Sequence, residues 1–403
     1  MKTQRLSILL IILSCTLFSQ GWFVQNSGVP YNLSSVFFVN DNTGWAVGDL
    51  GTIRKTTNGG VNWVAQTGTS AMNSVFFIDV STGWACGPGG LIISTTNGGT
   101  NWTTQASGTS AYLRSIFFAS TAKGWAVGDG GVIRTTTNGG ANWNTQAGGL
   151  GETLYSICFR SEAIGWISGF SGKILKTTNG GLNWILQNST TTNALFSMYF
   201  TNLLTGWAVG YQGTIKKSTD GGANWFSQTS PSSSWLYGVQ FTSDMTGWAV
   251  GTNGAVLNTQ NGGTNWIIQT SGVGDNMYGL RFSSSTTGYA VGTTGRIIKT
   301  TNGGMTFINK LGSEIPENFS LSQNYPNPFN PVTNIRFRLP EDAVIKLAVY
   351  DINGREIETL IESRLNAGFY NYDWDASAYS SGIYFYVLEG NEFRESRKMV
   401  LIK

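Results

Sequence analysis

No histidine occurs anywhere in the 403 residues, and that single absence removes much chemistry. Ser-His-Asp and Cys-His catalysis both need an imidazole, and the commonest transition-metal ligand goes with it. Cysteine is nearly as scarce, at three. Cys15 lies in an N-terminal leader, while Cys86 and Cys158 fall where equivalent segments carry Val or Phe. Both read as small buried hydrophobes too far apart to bridge, so no disulfide framework is expected. Charged residues make up only 12% of the chain, about half the usual share. The net charge of +3 is too small to point to nucleic acid. Beyond the first twenty residues no stretch sustains a 3.6-residue apolar period, so helix is all but excluded. A phosphate-cradling glycine loop that opens a helix is excluded with it. No cofactor, metal site or catalytic residue is expected.

Glycine is abundant, at 53 residues, and so is tryptophan, at 15; aromatics reach 13% and supply ample surface for a core. Many turns and few charges suit an all-β chain. Charge is also uneven. Residues 21–313 hold 14 basic and 9 acidic side chains, against 9 and 13 in residues 314–403. The density triples, which places a domain boundary there. Residues 1–20 read as a secretory signal peptide, with Lys2 and Arg5 ahead of an apolar run over 6–13 broken only by Ser7. That run is too short for a comfortable membrane span, and no stable span is expected.

The repeats decide the fold. Gly-Trp, once Gly-Tyr, recurs at Gly44, Gly83, Gly124, Gly165, Gly206, Gly247 and Gly288, in steps of 39 and then 41 five times. Each copy reads as a short apolar strand (Ser35-Val36-Phe37-Phe38), a second strand (Trp45-Ala46-Val47) and a loop bracketed by Gly48 and Gly51. A third strand holds Ile53, the turn Asn58-Gly59-Gly60 follows, and an outer strand opens at Trp63. Four antiparallel strands in about 41 residues make one propeller blade. A blade cannot bury both faces alone, so seven copies imply a closed seven-bladed β-propeller. The Trp-x-x-Gln element also occurs at Trp22-Phe23-Val24-Gln25, a surplus outer strand placed to complete the last blade. Phe307, where Trp is expected, is then a weakened or displaced strand.

Thr56-x-Asn58-Gly59-Gly60-x-Asn62-Trp63 resembles the Asp-box turn of the bacterial neuraminidase repeat, with only Asp220 keeping the acid. With the Gly-Trp-Ala-Val-Gly strand, the pattern over residues 22–310 resembles the photosystem II assembly and stability factor family. The resemblance implies a propeller. It also raises a role as an assembly factor for a membrane complex.

Residues 314–403 change style. The proline-fixed segment Tyr325-Pro326-Asn327-Pro328-Phe329 precedes alternating strands at Asn334–Arg338, Val344–Tyr350 and Gly382–Leu388, with turns at Asp351-Ile352-Asn353-Gly354 and Glu389-Gly390-Asn391-Glu392. About seven short strands suggest a small immunoglobulin- or fibronectin-III-like β-sandwich. The block resembles the type A C-terminal sorting domain of type IX secretion cargo, through Pro-Asn-Pro-Phe, Val349-Tyr350-Asp351 with Gly354, Trp374-Asp375, Ser381-Gly382-Ile383-Tyr384 and Lys398-Met399-Val400-Leu401-Ile402-Lys403. That resemblance implies recognition of residues 318–403 by the type IX machinery. It also implies a destination outside the cell or on the outer surface of a Gram-negative bacterium.

For function, aligning the repeats singles out the position just before each inner-strand Ser or Gly: Ser34, Asn73, Arg114, Tyr155, Phe196, Tyr237 and Tyr278. Four consecutive blades present an aromatic there, with Trp235 and Tyr112 nearby and Phe170 and Tyr211 in the adjacent loop. Flat rings on a rigid rim suit an extracellular protein or glycan partner; the competing reading is that they plug the packing between blades. A glycan-active hydrolase is the alternative. It needs two suitably spaced carboxylates, for which Asp41, Asp79, Glu162 and Asp244 at one rim and Asp49, Asp129, Glu152 and Asp275 at the other are the available groups.

Overall fold

A computed structural model describes residues 21–403 apart from 69, 149–150, 305–307, 311–313, 377–378 and 391–392. The leader, Phe307 and the turn residues Asn391 and Glu392 therefore lie outside the described residues. Two compact units divide the chain, Gly21–Met305 and Thr306–Lys403. Among the described residues there is no α-helix; the only helical turns are seven three-residue 3-10 turns, the first at Asp49–Gly51.

The first unit consists of seven four-stranded antiparallel sheets, one per repeat. In blade 1 the strands run Leu33–Phe38, Gly44–Gly48, Ile53–Thr56 and Val64–Gln66, from innermost to outermost. Blade 7 takes three strands from its own repeat, and Phe23–Gln25 supplies the fourth, with Phe23 opposite Lys299 and Gln25 opposite Ile297. The surplus N-terminal element thus shuts the ring, and Trp22, fully buried, sits edge-on to Phe282 as the outer-strand Trp of that blade.

Several recurring residues of the repeat serve the joint between neighbours. The Gly-Trp indole stacks on the last inner-strand Phe of the next blade, with Trp45 on Phe77 and Trp84 on Phe118 at 3.5 Å. Its N–H donates to the first glycine carbonyl of the next Asn-Gly-Gly turn, Trp45 to Gly98 at 3.0 Å and Trp125 to Gly180 at 3.2 Å. At the closing joint Tyr289 replaces Trp, stacks on Phe38 at 3.6 Å and donates to Gly59 at 3.2 Å or to Asp41 at 3.1 Å. The Trp-x-x-Gln glutamine reaches the same glycine: Gln105 donates to Gly139 and accepts from the Trp143 indole. Gln66 and Gln228 instead bond their own strands, which leaves the Trp102 and Trp266 indole N–H groups without a hydrogen-bond partner.

The Asn-Gly-Gly turn is held by its own side chains. Thr56 Oγ1 accepts from Gly60 N at 2.8 Å and Asn58 Oδ1 accepts from Asn62 N at 2.9 Å. Gly59 and Gly60 both have positive φ, as expected of this turn. In the loop after the second strand the two bracketing glycines do different work. Gly48 is extended, at φ −171°, and is needed because a Cβ there would meet Asn32 O at 1.9 Å. The left-handed positions are Gly51 and the residue before it, Leu50 in blade 1.

Inner strands are tied through serine. Ser35 Oγ accepts from Val75 N, and Ser74, Ser115, Ser156 and Ser197 repeat the bond around the ring. Blades 6 and 7 have Gly238 and Gly279 there, and longer side chains two residues on take over. Gln240 donates to Phe282 O at 3.1 Å and accepts from Phe282 N at 2.7 Å; Arg281 donates to Phe38 O at 3.4 Å. Cys86 and Cys158 are free and buried, as their repeat positions suggest.

The second unit is a β-sandwich of two four-stranded sheets. One sheet holds Ile308–Lys310, Gly368–Asp375, Val332–Leu339 and Ser320–Leu321; the other holds Glu356–Leu365, Ala343–Tyr350, Gly382–Gly390 and Phe393–Leu401. Ile308–Lys310, read from the sequence as part of the propeller segment, pairs here with Gly368–Asp375. The sheets enclose one core that includes Ile335, Phe337, Leu347, Trp374, Tyr386 and Met399. The proline-rich lead-in is fixed by buried Phe329, whose N–H donates to Val400 O and whose carbonyl accepts from Ile402 N. Tyr386 donates its hydroxyl to Ser322 O at 2.7 Å and accepts from Asn324 N at 2.7 Å. Gly354, at φ 76°, donates to Asp351 O and closes the expected hairpin.

Candidate functional site

The sequence-selected rim residues owe their position to a break in strand register. In blade 3, Leu113 pairs with Gly128 and Ser115 with the very next residue back, Val127, so Arg114 is an extra residue with no cross-strand partner. The same bulge places Ser34, Tyr155, Phe196, Tyr237 and Tyr278. A bulge re-aims the inserted side chain. The preceding Leu or Met therefore stays fully in the core, while the bulged side chain turns out to a half-buried position.

Five of these side chains meet in sequence around the ring. Arg114 Cζ lies 5.5 Å from the Tyr155 ring. Tyr155 to Phe196, Phe196 to Tyr237 and Tyr237 to Tyr278 are each 5.2 Å between ring centroids. Trp235, 41% exposed, adds a branch at 6.3 Å from Phe196 and 4.7 Å from Tyr211. Ser34 and Asn73 interrupt the belt in blades 1 and 2, so it is an arc across blades 3 to 7. Asn73 is occupied locally, donating to Leu113 O and accepting from the Tyr112 hydroxyl.

Arg114 ends the arc under restraint. Its Nε and Nη2 donate to the two Asp129 oxygens at 2.6 and 3.1 Å, and it lies 4.7 Å from the Tyr112 ring. Burial works against its charge, but the bond and charge of Asp129 outweigh it and raise the guanidinium pKa. Burial also raises the Tyr155 and Tyr237 phenols, so both present neutral hydroxyls.

The rim carboxylates are engaged one by one. Asp275 pairs with Arg296 at 2.7 Å, Glu152 lies 4.0 Å from Lys173, and Asp49 accepts from Asn32. At the other rim Asp41 accepts from Ser283, Asp79 accepts from Ser81 N and Thr82 N, and Asp244 accepts from Asn202. No group of three or more His, Cys, Asp or Glu side chains placed to hold a metal ion occurs among the described residues. The Arg114–Asp129 restraint is not legible in the repeat pattern, because it joins two non-recurring residues within a single blade. The bulge does leave a signal: Leu113 and Ile116 are both core but three residues apart, an odd spacing in a strand.

The photosynthesis system II assembly factor YCF48 model matches residues 16–106, 101–190 and 183–266, and a secretion system C-terminal sorting domain matches residues 323–403. Among solved structures, "YCF48 bound to D1 peptide" is similar at 23% identity and TM-score 0.61, over 71% of this chain and 97% of that one. YCF48 from Cyanidioschyzon merolae matches at 19% identity and TM-score 0.60, over 70% and 98%. A GH74 enzyme from Niastella koreensis matches at 12% identity and TM-score 0.58, over 79% of this chain and 59% of that one. At these identities the likeness is one of fold. No curated protein matches the chain significantly.

Proposed function

Since this chain belongs to the family of the photosynthesis system II assembly factor YCF48 and ends in a secretion sorting domain, we propose that it is an exported, non-enzymatic binding module. In this reading residues 1–20 are a leader, 21–313 the binding module and 314–403 the sorting module that the type IX machinery handles. The ligand is a segment of an extracellular polypeptide lying along the arc from Arg114 to Tyr278. The observation that carries this is the unbroken run of Tyr155, Phe196, Tyr237 and Tyr278 at 5.2 Å spacings on consecutive bulges. Rigid aromatics bring large contact area at little entropy cost, and they dominate protein interfaces. The peptide named with the solved YCF48 structure supports a polypeptide rather than a glycan. The sorting domain supports an extracellular setting over photosystem assembly.

Peptides tiled from surface proteins and a polysaccharide panel, both probed with the purified chain, test the assignment. Phe196→Ala with Tyr237→Ala should weaken peptide capture by about 10²-fold, the scale of two interface aromatics. The melting temperature should stay within a few degrees. Capture of polysaccharide alone, or undiminished peptide binding by the double variant, overturns it.

A further inference from the structure

The central channel holds a cavity whose lining differs from the arc in chemistry. Two residues past the serine ladder, Phe37, Phe76, Phe117, Cys158, Tyr199 and Arg281 line the lumen. One wall is apolar, with Phe37 and Phe76 at 4.9 Å and Phe76 and Phe117 at 5.0 Å. The other holds two guanidiniums, Arg160 with its Cζ 4.6 Å from the Tyr199 ring and Arg281 with its Cζ 4.0 Å from the Phe37 ring. Together they line a cavity of about 530 Å³ in which they are the sole charged side chains.

These two arginines lack what the other propeller arginines of the rim possess. Arg114 and Arg296 each hold a carboxylate, whereas among the described residues neither Arg160 nor Arg281 forms an ion pair. Arg160 Nε is buried with no hydrogen-bond partner, and Arg281 has one long bond, to Phe38 O at 3.4 Å. Burial lowers the Arg281 pKa and the like charge of Arg160 lowers it further, against the opposing influence of Tyr199. Buried charges are ordinarily paired, so two cations facing one lumen without an acid suit a ligand that brings negative charge.

We propose that the channel binds a small organic carboxylate, its anionic end on Arg160 and Arg281 and its apolar body against Phe37, Phe76 and Phe117. A guanidinium fork matches a planar carboxylate. An inorganic anion would satisfy the charge but leave the aromatic wall bare, and the cavity has the size of a small-molecule site. The inference is independent of the partner-binding arc.

Calorimetric titration of the full-length protein with phenylacetate, indole-3-acetate and octanoate, beside phenylacetamide and inorganic phosphate, tests it. At least one carboxylate should bind in a salt-sensitive manner, and phenylacetamide and phosphate should bind at least about tenfold more weakly or not at all. Arg160→Gln and Arg281→Gln should each weaken the carboxylate by about tenfold or more. At position 281 glutamine is chosen because Gln240 already makes the equivalent blade-to-blade bond, and at 160 because it keeps a polar chain of similar reach without the charge; matched melting curves check that the ring holds. Phe196→Ala with Tyr237→Ala should leave carboxylate binding unchanged. The proposal fails if no carboxylate of the panel binds, if the amide or phosphate binds as well, or if both glutamine variants keep wild-type affinity.

Discussion

At the scale of single residues, the repeat is best understood through the one place where it is altered. Tyr289 stands where six other blades have Trp, and its hydroxyl reaches the Gly59 carbonyl that an indole N–H would otherwise reach. Tyr289→Phe keeps the stack on Phe38 but removes the donor, so it should cost about 1 kcal/mol in urea unfolding. The loss stays small because Lys299 also donates to Gly59 O, at 2.8 Å. Burial pushes the Tyr289 phenol well above its ordinary value, with the charge of Asp41 adding to this. The folded state therefore keeps this proton where the unfolded chain releases it, and stability should fall as pH rises past about 10. The Phe variant should show a shallower alkaline decline in the same titration. Spacing made Gly-Trp and Asn-Gly-Gly visible in the sequence, but not that each indole serves the following blade's turn. Nor did it expose Arg160 and Arg281, because lumen positions are where the repeats differ most and a repeat reading attends to what recurs.

At the scale of elements, the outer strand Phe23–Gln25 and the inner-strand bulge teach opposite lessons. The strand was legible because its Trp-x-x-Gln motif appears once more than the blades require. The bulge was not, since it adds no special residue type and only shifts which face the next residues occupy. Alignment still singles out the bulged side chains, for six of the seven repeats shift alike. The Asp351-to-Gly354 hairpin of the second unit was legible from turn chemistry alone. Trp22 anchors the closing strand, buried fully and donating to Gln269 at 2.9 Å. Trp22→Ala should therefore cost about 3–5 kcal/mol, as for other large core truncations, read as a lowered denaturation midpoint. A loss within error would mean that the seam does not depend on this strand.

At the scale of the whole molecule, the proposed reading gives the two units separate instructions, one for what is held and one for where it is taken. Deleting residues 323–403, the extent of the sorting-domain match, should leave the propeller folded but retained in the cell. Fractionation with a blot against the propeller reads this directly, and secretion of the truncated chain at the normal level would contradict it. The seam has a consequence of its own. Because Phe23 pairs with Lys299, the first propeller strand to be synthesised waits for nearly the last propeller residues before it finds its place. Until then the growing arc is a horseshoe with a raw backbone edge at Ile297–Thr300, and the entropy of bringing such distant segments together must be met in one step. Crowded nascent chains that lent each other that first strand would form interlocked dimers, the mistake such a seam invites.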